Sequence, residues 1–127
     1  MNTTVVKGGA AAIMLAALLP IQSAGAHHSF AMFDRTKEVK LPGTVKTFQW
    51  TNPHSWLQLD VDQPGGTPKE YSIELGSPNT MSREGWRRTS FKAGDHVVVT
   101  IHPMRDGSAG GSFVSAVDVQ GKPLGAK

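Results

Sequence analysis

The chain has 127 residues, with 13 Lys and Arg against 10 Asp and Glu, and 39% of its residues are hydrophobic. That length suits one domain with its own hydrophobic core, and the composition is too ordinary for a disordered chain. The chain contains no cysteine, which excludes disulfides, a Cys-ligated zinc site, a thiol nucleophile and a lipid-modified cysteine.

The first 26 residues have the order of a secretory signal peptide. Lys7 supplies a positive charge, an apolar run covers residues 8–19, and Ala24-Gly25-Ala26 offers a small-residue cleavage site. The apolar run is shorter than the roughly 20 residues that a membrane-spanning helix needs. We therefore expect residues 1–26 to be removed, the protein to be periplasmic or secreted, and the mature chain to have no membrane span.

Cleavage after Ala26 leaves 101 of the 127 residues and exposes His27 as the first residue. Lys7 is the only charged residue lost, so the net charge falls from +3 to +2. A surplus this small lacks the basic stripe of a nucleic-acid binder. We expect a protein or small-molecule partner and no nucleic acid.

The mature chain predicts a β domain over residues 39–120, preceded by an N-terminal arm at 27–38 and followed by a disordered tail at 121–127. Short alternating apolar stretches between Gly- and Pro-rich turns are typical of strands. Val45, Phe48 and Trp50 fall out of alternation, which indicates a bulge in the first strand. The five predicted strands cover residues 42–50, 56–62, 70–75, 96–102 and 113–119.

A single short helix is predicted between the third and fourth strands. Ser77 suits the N-cap, Pro78 the first helical position, and Gly85 the left-handed residue after the end. Three strands, a helix and two strands match the OB-like barrel, a five-stranded oligonucleotide- or oligosaccharide-binding architecture. A small open sandwich or meander is the competing architecture, but closure removes the exposed strand edges.

No catalytic motif is present: the sequence has no nucleophile elbow, no phosphate-binding Gly-Lys loop, no dinucleotide glycine pattern and no His-Glu-x-x-His helix. Asp95 and His96 are adjacent, so a strand would direct them to opposite faces. We therefore expect a binding or accessory protein rather than an enzyme. A small enzyme with an open copper site is the weakest alternative.

The positions of the histidines predict a copper-binding site. After cleavage, His27 would carry an α-amine and an imidazole, and a second imidazole would complete a three-nitrogen set that suits Cu(II). The arrangement resembles the histidine brace of copper monooxygenases and of some periplasmic copper carriers. His54, in the loop after the first strand, is the first choice for the second ligand, followed by His28 or His102.

Ordinary structural roles remain open for these residues. His54 could cap a turn, and the two histidines at 27–28 could form a polar segment before the domain that binds no ligand. His96 and His102 would stand about 20 Å apart on one strand, too far to share a metal. Met32 and Met104 are candidate soft ligands for Cu(I), although methionines more often serve as packing residues.

Aromatic and basic groups mark a second type of site. Trp50, Asn52 and Trp56 surround the first loop and could bind a peptide, glycan or partner protein. The alternative is that both tryptophans plug the barrel. A basic patch near the predicted helix is expected to be a solvent-exposed face of that helix. It consists of Arg83, Arg87, Arg88 and Lys92.

Several short motifs together resemble a family of small secreted bacterial proteins classed as a domain of unknown function. The resemblance covers essentially the whole mature chain. It implies a periplasmic single-domain protein and brings no established activity or site residue. The motifs are His27-His28-Ser29-Phe30, Gly43-Thr44-Val45, Trp50-Thr51-Asn52-Pro53-His54, Gly76-Ser77-Pro78, Arg83-Glu84-Gly85-Trp86 and Lys92-Ala93-Gly94-Asp95.

Overall fold

A computed structural model describes residues 30–125. The predicted signal peptide at 1–26 and the first residues of the arm lie outside the described residues. The elements in chain order are a 3-10 turn at Phe30–Met32, β1 at Val39–Gln49, β2 at Trp56–Val61, β3 at Lys69–Glu74, α1 at Pro78–Arg83, β4 at His96–Pro103 and β5 at Gly110–Asp118.

The five strands form a closed barrel in the order β1-β2-β3-β5-β4. All neighbours are antiparallel except β3 and β5, which run parallel. This confirms the predicted five-stranded barrel with one short helix between β3 and β4, and it replaces the open-sandwich alternative. Within residues 30–125, no helix is long and apolar enough to cross a membrane.

β1 closes the barrel because it pairs with β4 along its first half and with β2 along its second. The predicted bulge is present, since the register shifts between Val45 and Thr47. Gly43 belongs to both ladders, and a Cβ there would overlap the carbonyl oxygen of Asp60 and lie 3.0 Å from Cα of Val61. A residue without a side chain therefore lets the strands meet at this crossover.

Alternation along the strands fills the barrel. In β2 the buried side chains are Leu57, Leu59 and Val61, the alternate residues of the strand. In β4 the buried alternate residues are Val97, Val99 and Ile101, and Thr100 is buried beside them. Burying these branched side chains supplies most of the drive to fold. The buried cluster also includes Leu41, Val45, Ile73, Leu75, Met81, Trp86, Phe91, Val97, Val99, Ile101 and Ala116.

The short helix α1 begins and ends as the sequence predicts. The Ser77 side chain accepts a hydrogen bond from the backbone N–H of Thr80, and Pro78 occupies the first turn. Gly85 has a φ of 88° beyond the end of the helix, a conformation that L side chains rarely adopt. Met81 is the buried residue of the helix and packs in the hydrophobic core.

Two strands begin three residues before their predicted starts, whereas the other boundaries agree within one residue. β1 begins at Val39 rather than at residue 42, because its first residues pair with β4. β5 begins at Gly110 rather than at residue 113. Gly110 pairs with β3, Gly111 pairs with both β3 and β4, and a Cβ at either position would clash with a neighbouring carbonyl oxygen. Glycines that indicate a turn in the sequence therefore allow the neighbouring strands to lie close together here.

The segments at both ends pack on the barrel. Phe33 is buried and forms a β-bridge with Met104, and the Asp34 N–H donates to the carbonyl of Pro103 at 2.8 Å. Residues 121–125 of the tail expected to be disordered instead turn back along β5. Pro123 bridges Val117, and Leu124 packs against the core.

Candidate functional site

The backbone on both sides of His54 is held in place by hydrogen bonds. The Thr51 hydroxyl donates to the His54 carbonyl at 2.9 Å. Ser55 then extends the β2–β3 ladder, donating its N–H to Gly76 at 3.0 Å and accepting from the N–H of Leu75 at 2.9 Å. The loop before β2 is therefore an ordered continuation of the sheet.

Glu74 is the residue that this extension brings beside His54. Glu74 pairs directly with Trp56, and alternate residues of a strand share a face, so His54 is its diagonal neighbour. Nδ1 of His54 lies 3.2 Å from Oε1 of Glu74. The Glu74 side chain is only 11% exposed, whereas that of His54 is 35% exposed. The pair thus joins a largely buried carboxylate to an imidazole that solvent reaches.

The chemistry of the pair assigns the two imidazole nitrogens. An ionised carboxylate only accepts hydrogen bonds, so Nδ1 of His54 carries the proton and donates it to Glu74. The contact fixes the orientation of the imidazole ring, as a carboxylate does behind a metal-binding histidine.

The other carboxylate oxygen of Glu74 has no such partner. Oε2 is buried and receives no hydrogen bond from the residues that the structure describes. Burying a carboxylate oxygen without a donor or cation is unfavourable, because the lost hydration is not replaced. An uncompensated oxygen of this kind often indicates a site for a ligand or ion.

Glu74 separates two cavities. The larger, of about 530 Å³, is also lined by His54 and lies between α1, β5 and the tail, with a mainly apolar wall. The smaller, of about 180 Å³, lies where the N-terminal arm meets β3 and the start of β5. The residues around the smaller cavity are Met32, Phe33, Trp56, Ser72, Glu74, Met104 and Ser108–Gly111.

Of the three metal ligands predicted from the sequence, the structure describes only His54. His27 and His28 lie outside residues 30–125. Within that range, no group of three or more His, Cys, Asp or Glu side chains could hold a metal ion. The described residues therefore supply one imidazole and one supporting carboxylate, and any further ligands must come from elsewhere.

The other histidines are engaged at opposite ends of β4. Nδ1 of His96 lies 3.0 Å from the Thr44 hydroxyl oxygen. Nδ1 of His102 lies 2.8 Å from the carbonyl oxygen of Lys37 and must donate to it. His102 thereby ties the arm to the barrel, and it lines neither cavity.

The residues predicted to bind an organic ligand have different environments. Trp50 packs on the core, with its ring edge-on to Phe48 at a centroid distance of 5.8 Å. Asn52 is exposed and precedes a cis peptide bond to Pro53. Trp56 is half-buried and forms part of the wall of the smaller cavity. The loop thus directs only Trp56 of the three toward a cavity.

The basic patch lies on the surface next to α1, and all four of its side chains are exposed. The Arg87 guanidinium donates to the carbonyls of Ser82 and Trp86, at 3.4 and 2.9 Å, so it caps the end of the helix. This contact gives Arg87 a structural role.

Glu74 is the residue that the sequence analysis missed as a site component. Alternation places it on the outer face of β3, where a carboxylate is unremarkable. The informative signal is the register, because pairing of Trp56 with Glu74 brings Glu74 next to His54. Val61 pairs with Lys69 across the seven residues at 62–68. A loop of residues 63–68 alone would place Glu74 opposite Leu57, so the sequence carried no sufficient signal for this pair.

A family model matches residues 16–113, which include the first loop, the His54–Glu74 pair and the helix. No curated protein and no solved structure was found to match the chain significantly. Because the family model covers most of the chain, the protein belongs to DUF6152, a family of unknown function.

Proposed function

We propose that the protein is an exported accessory protein that binds one Cu(II) ion through a processed N-terminal His27 and through His54. The observation that carries the proposal is the 3.2 Å contact between Nδ1 of His54 and Oε1 of Glu74. The contact fixes the orientation of the His54 imidazole and supplies a negative charge that offsets the charge of the ion. Cu(II) prefers nitrogen ligands in a tetragonal arrangement, which His27 and His54 together would provide.

The anchored arm supports this ligand set. Arg105 donates its N–H to the carbonyl of Met32 at 2.9 Å, and Met32 borders the same small cavity as Glu74. His27 precedes Met32 by five residues, which span at most about 18 Å when extended. A terminus at His27 would therefore stay within about 18 Å of Met32 and of the cavity that Glu74 borders. A reference pKa of about 7.7–8.0 makes deprotonation of an α-amine inexpensive near neutral pH.

A titration of the mature chain with Cu(II) tests the proposal. The chain beginning at His27 is expected to bind one ion, followed by calorimetry and by an electron paramagnetic resonance spectrum with nitrogen ligation. His54→Ala should weaken binding strongly, whereas His96→Ala is the matched control at the far end of β4. A mature chain acetylated at the His27 α-amine lacks the chelating amine. Equal Cu(II) affinity in that acetylated chain would overturn the proposal.

The alternative is a metal-free interaction module that uses the first loop to bind a peptide, glycan or partner protein. Trp56 favours it, because its ring borders a cavity. Trp50 contributes less, since it packs on the core. The copper titration also separates the two functions, because this module requires neither the His27 amine nor the His54 imidazole.

A further inference from the structure

The smaller cavity brings together two methionines that are 72 positions apart in the sequence. Phe33 and Met104 form a β-bridge, and the N–H of Arg105 donates to the Met32 carbonyl. Both methionines are half-buried and border the same cavity of about 180 Å³. Met104 lies over Gly110, with its Cγ 3.8 Å from the position that a Cβ of Gly110 would occupy. The missing side chain at Gly110 therefore leaves room beside the methionine.

The same cavity is bordered by a carboxylate with one unpartnered oxygen. Glu74 forms part of its wall, and its buried Oε2 atom has no hydrogen-bond donor among residues 30–125. Oε1 faces the His54 imidazole, so the two oxygens have different surroundings. A cation in the cavity would offset the cost of this buried charge. Trp56 adds an aromatic ring to the wall, which also favours a cation.

The donor atoms indicate which cation fits. Calcium and magnesium need about six oxygen ligands, whereas the side chains of this wall offer one carboxylate and two serine hydroxyls beside two thioethers. Thioether sulfur is a soft donor that selects Cu(I). We propose that Met32 and Met104 form a thioether site for Cu(I), with the Glu74 carboxylate as its counter-charge. This site goes beyond the proposed Cu(II) function, because it requires neither the His27 amine nor the His54 imidazole.

Silver(I) is the probe of choice, because it is a soft monovalent cation that air does not oxidise. The mature chain is titrated with Ag(I) by calorimetry, and the methyl resonances of its methionines are followed by NMR. The residues 27–127 contain three methionines, Met32, Met81 and Met104. We expect one Ag(I) ion to bind, shifting the methyl signals of Met32 and Met104 and leaving that of Met81 in place.

Leucine variants provide the controls. Met32→Leu and Met104→Leu should each weaken Ag(I) binding by at least the roughly 10- to 100-fold that loss of an outer-shell contact costs a metal site. Met81→Leu is the matched change in the core and should leave binding unchanged. Leucine and methionine have similar volumes, so these variants should fold. Absence of Ag(I) binding, or wild-type affinity in the double Met32→Leu, Met104→Leu variant, would overturn the proposal.

The acetylated chain separates this site from the Cu(II) site. It should lose Cu(II) binding and keep Ag(I) binding, with the same methionine shifts. Ag(I) binding without any Cu(II) binding to the mature chain would contradict the proposed function and support the thioether site. Loss of Ag(I) binding on acetylation would overturn the thioether site, because the N-terminal amine would then be a required ligand.

Discussion

His54 and Glu74 are diagonal neighbours on the outer face of the barrel, with Nδ1 of His54 3.2 Å from Oε1 of Glu74. The relationship depends on strand register, since Trp56 pairs with Glu74 and Ser55 continues the ladder by one residue. A change of one residue in register would direct Glu74 to the opposite face. The pair therefore links the geometry of the β2–β3 hairpin to the proposed copper chemistry.

Glu74→Gln is expected to lower the Cu(II) affinity of the mature chain by about 10- to 100-fold, the usual cost of losing a supporting contact behind a metal ligand. The amide can still accept a hydrogen bond from His54, but it carries no negative charge. Calorimetry measures the affinity directly. Glu70→Gln is the matched control on β3, since Glu70 is exposed and forms an ion pair with Lys46. Equal affinities in the two variants would contradict the role assigned to Glu74.

The barrel could be predicted from local patterns. The alternation of Leu57, Leu59 and Val61 defines the core face of β2, and Ser77 with Pro78 marks the start of α1. These signals extend over a few residues each. The bulge in β1 was also visible, because the apolar residues there depart from alternation.

The candidate site could be predicted only in part. The position of His54 in a loop is local information, but its partner Glu74 is reached through register, 20 residues further along the chain. The contact between the arm and Met104 spans a longer separation still and leaves no local signal. Gly110 and Gly111 illustrate the same limit, since a glycine pair resembles a turn until its neighbouring strands are known.

Gly43→Ala is expected to destabilise the barrel by about 1–3 kcal/mol, the usual range for a side chain forced into packed structure. A Cβ at this position meets the carbonyl of Asp60 and the backbone of Val61, neither of which can move without disturbing β2. Urea unfolding followed by circular dichroism measures the loss. Gly65→Ala is the control, because a Cβ there has no neighbouring atom within 4 Å. Similar losses in both variants would show that the crossover at Gly43 tolerates a methyl group.

Ser77→Ala is expected to lower the free energy of unfolding by about 1 kcal/mol, the typical cost of losing an N-cap side chain. The Ser77 hydroxyl oxygen accepts from the Thr80 N–H at 3.2 Å. Since α1 has only six residues, one lost cap affects a large part of it. Ser82→Ala in the same helix is the comparison, because Ser82 is exposed and lies outside the cap. A loss from Ser82→Ala as large as that from Ser77→Ala would rule out capping as the cause.

Asp34 stabilises a turn within the N-terminal arm, through contacts with Thr36 and Lys37. Its Oδ1 accepts hydrogen bonds from the hydroxyl of Thr36 at 2.6 Å and from the Thr36 N–H at 3.2 Å. The Lys37 ammonium lies 3.1 Å from Oδ2. The Thr36 hydroxyl, and then Lys37, lower the pKa of Asp34 to about 2. The carboxylate form is thus favoured in the folded protein.

Stability is therefore expected to depend on pH through Asp34. Its carboxyl has a lower pKa folded than unfolded, so the unfolded chain binds the proton more tightly and acid favours unfolding. The contribution is complete above a pH of about 4 and is lost as the pH falls toward about 2. Urea unfolding of wild type and Asp34→Asn should give a larger difference at neutral pH than in acid, since the other carboxyl groups titrate in both proteins and cancel. Thr36→Val should raise the pKa of Asp34, as read from its carboxyl carbon resonance. A difference between wild type and Asp34→Asn that stays constant with pH would mean that this turn does not couple proton binding to folding.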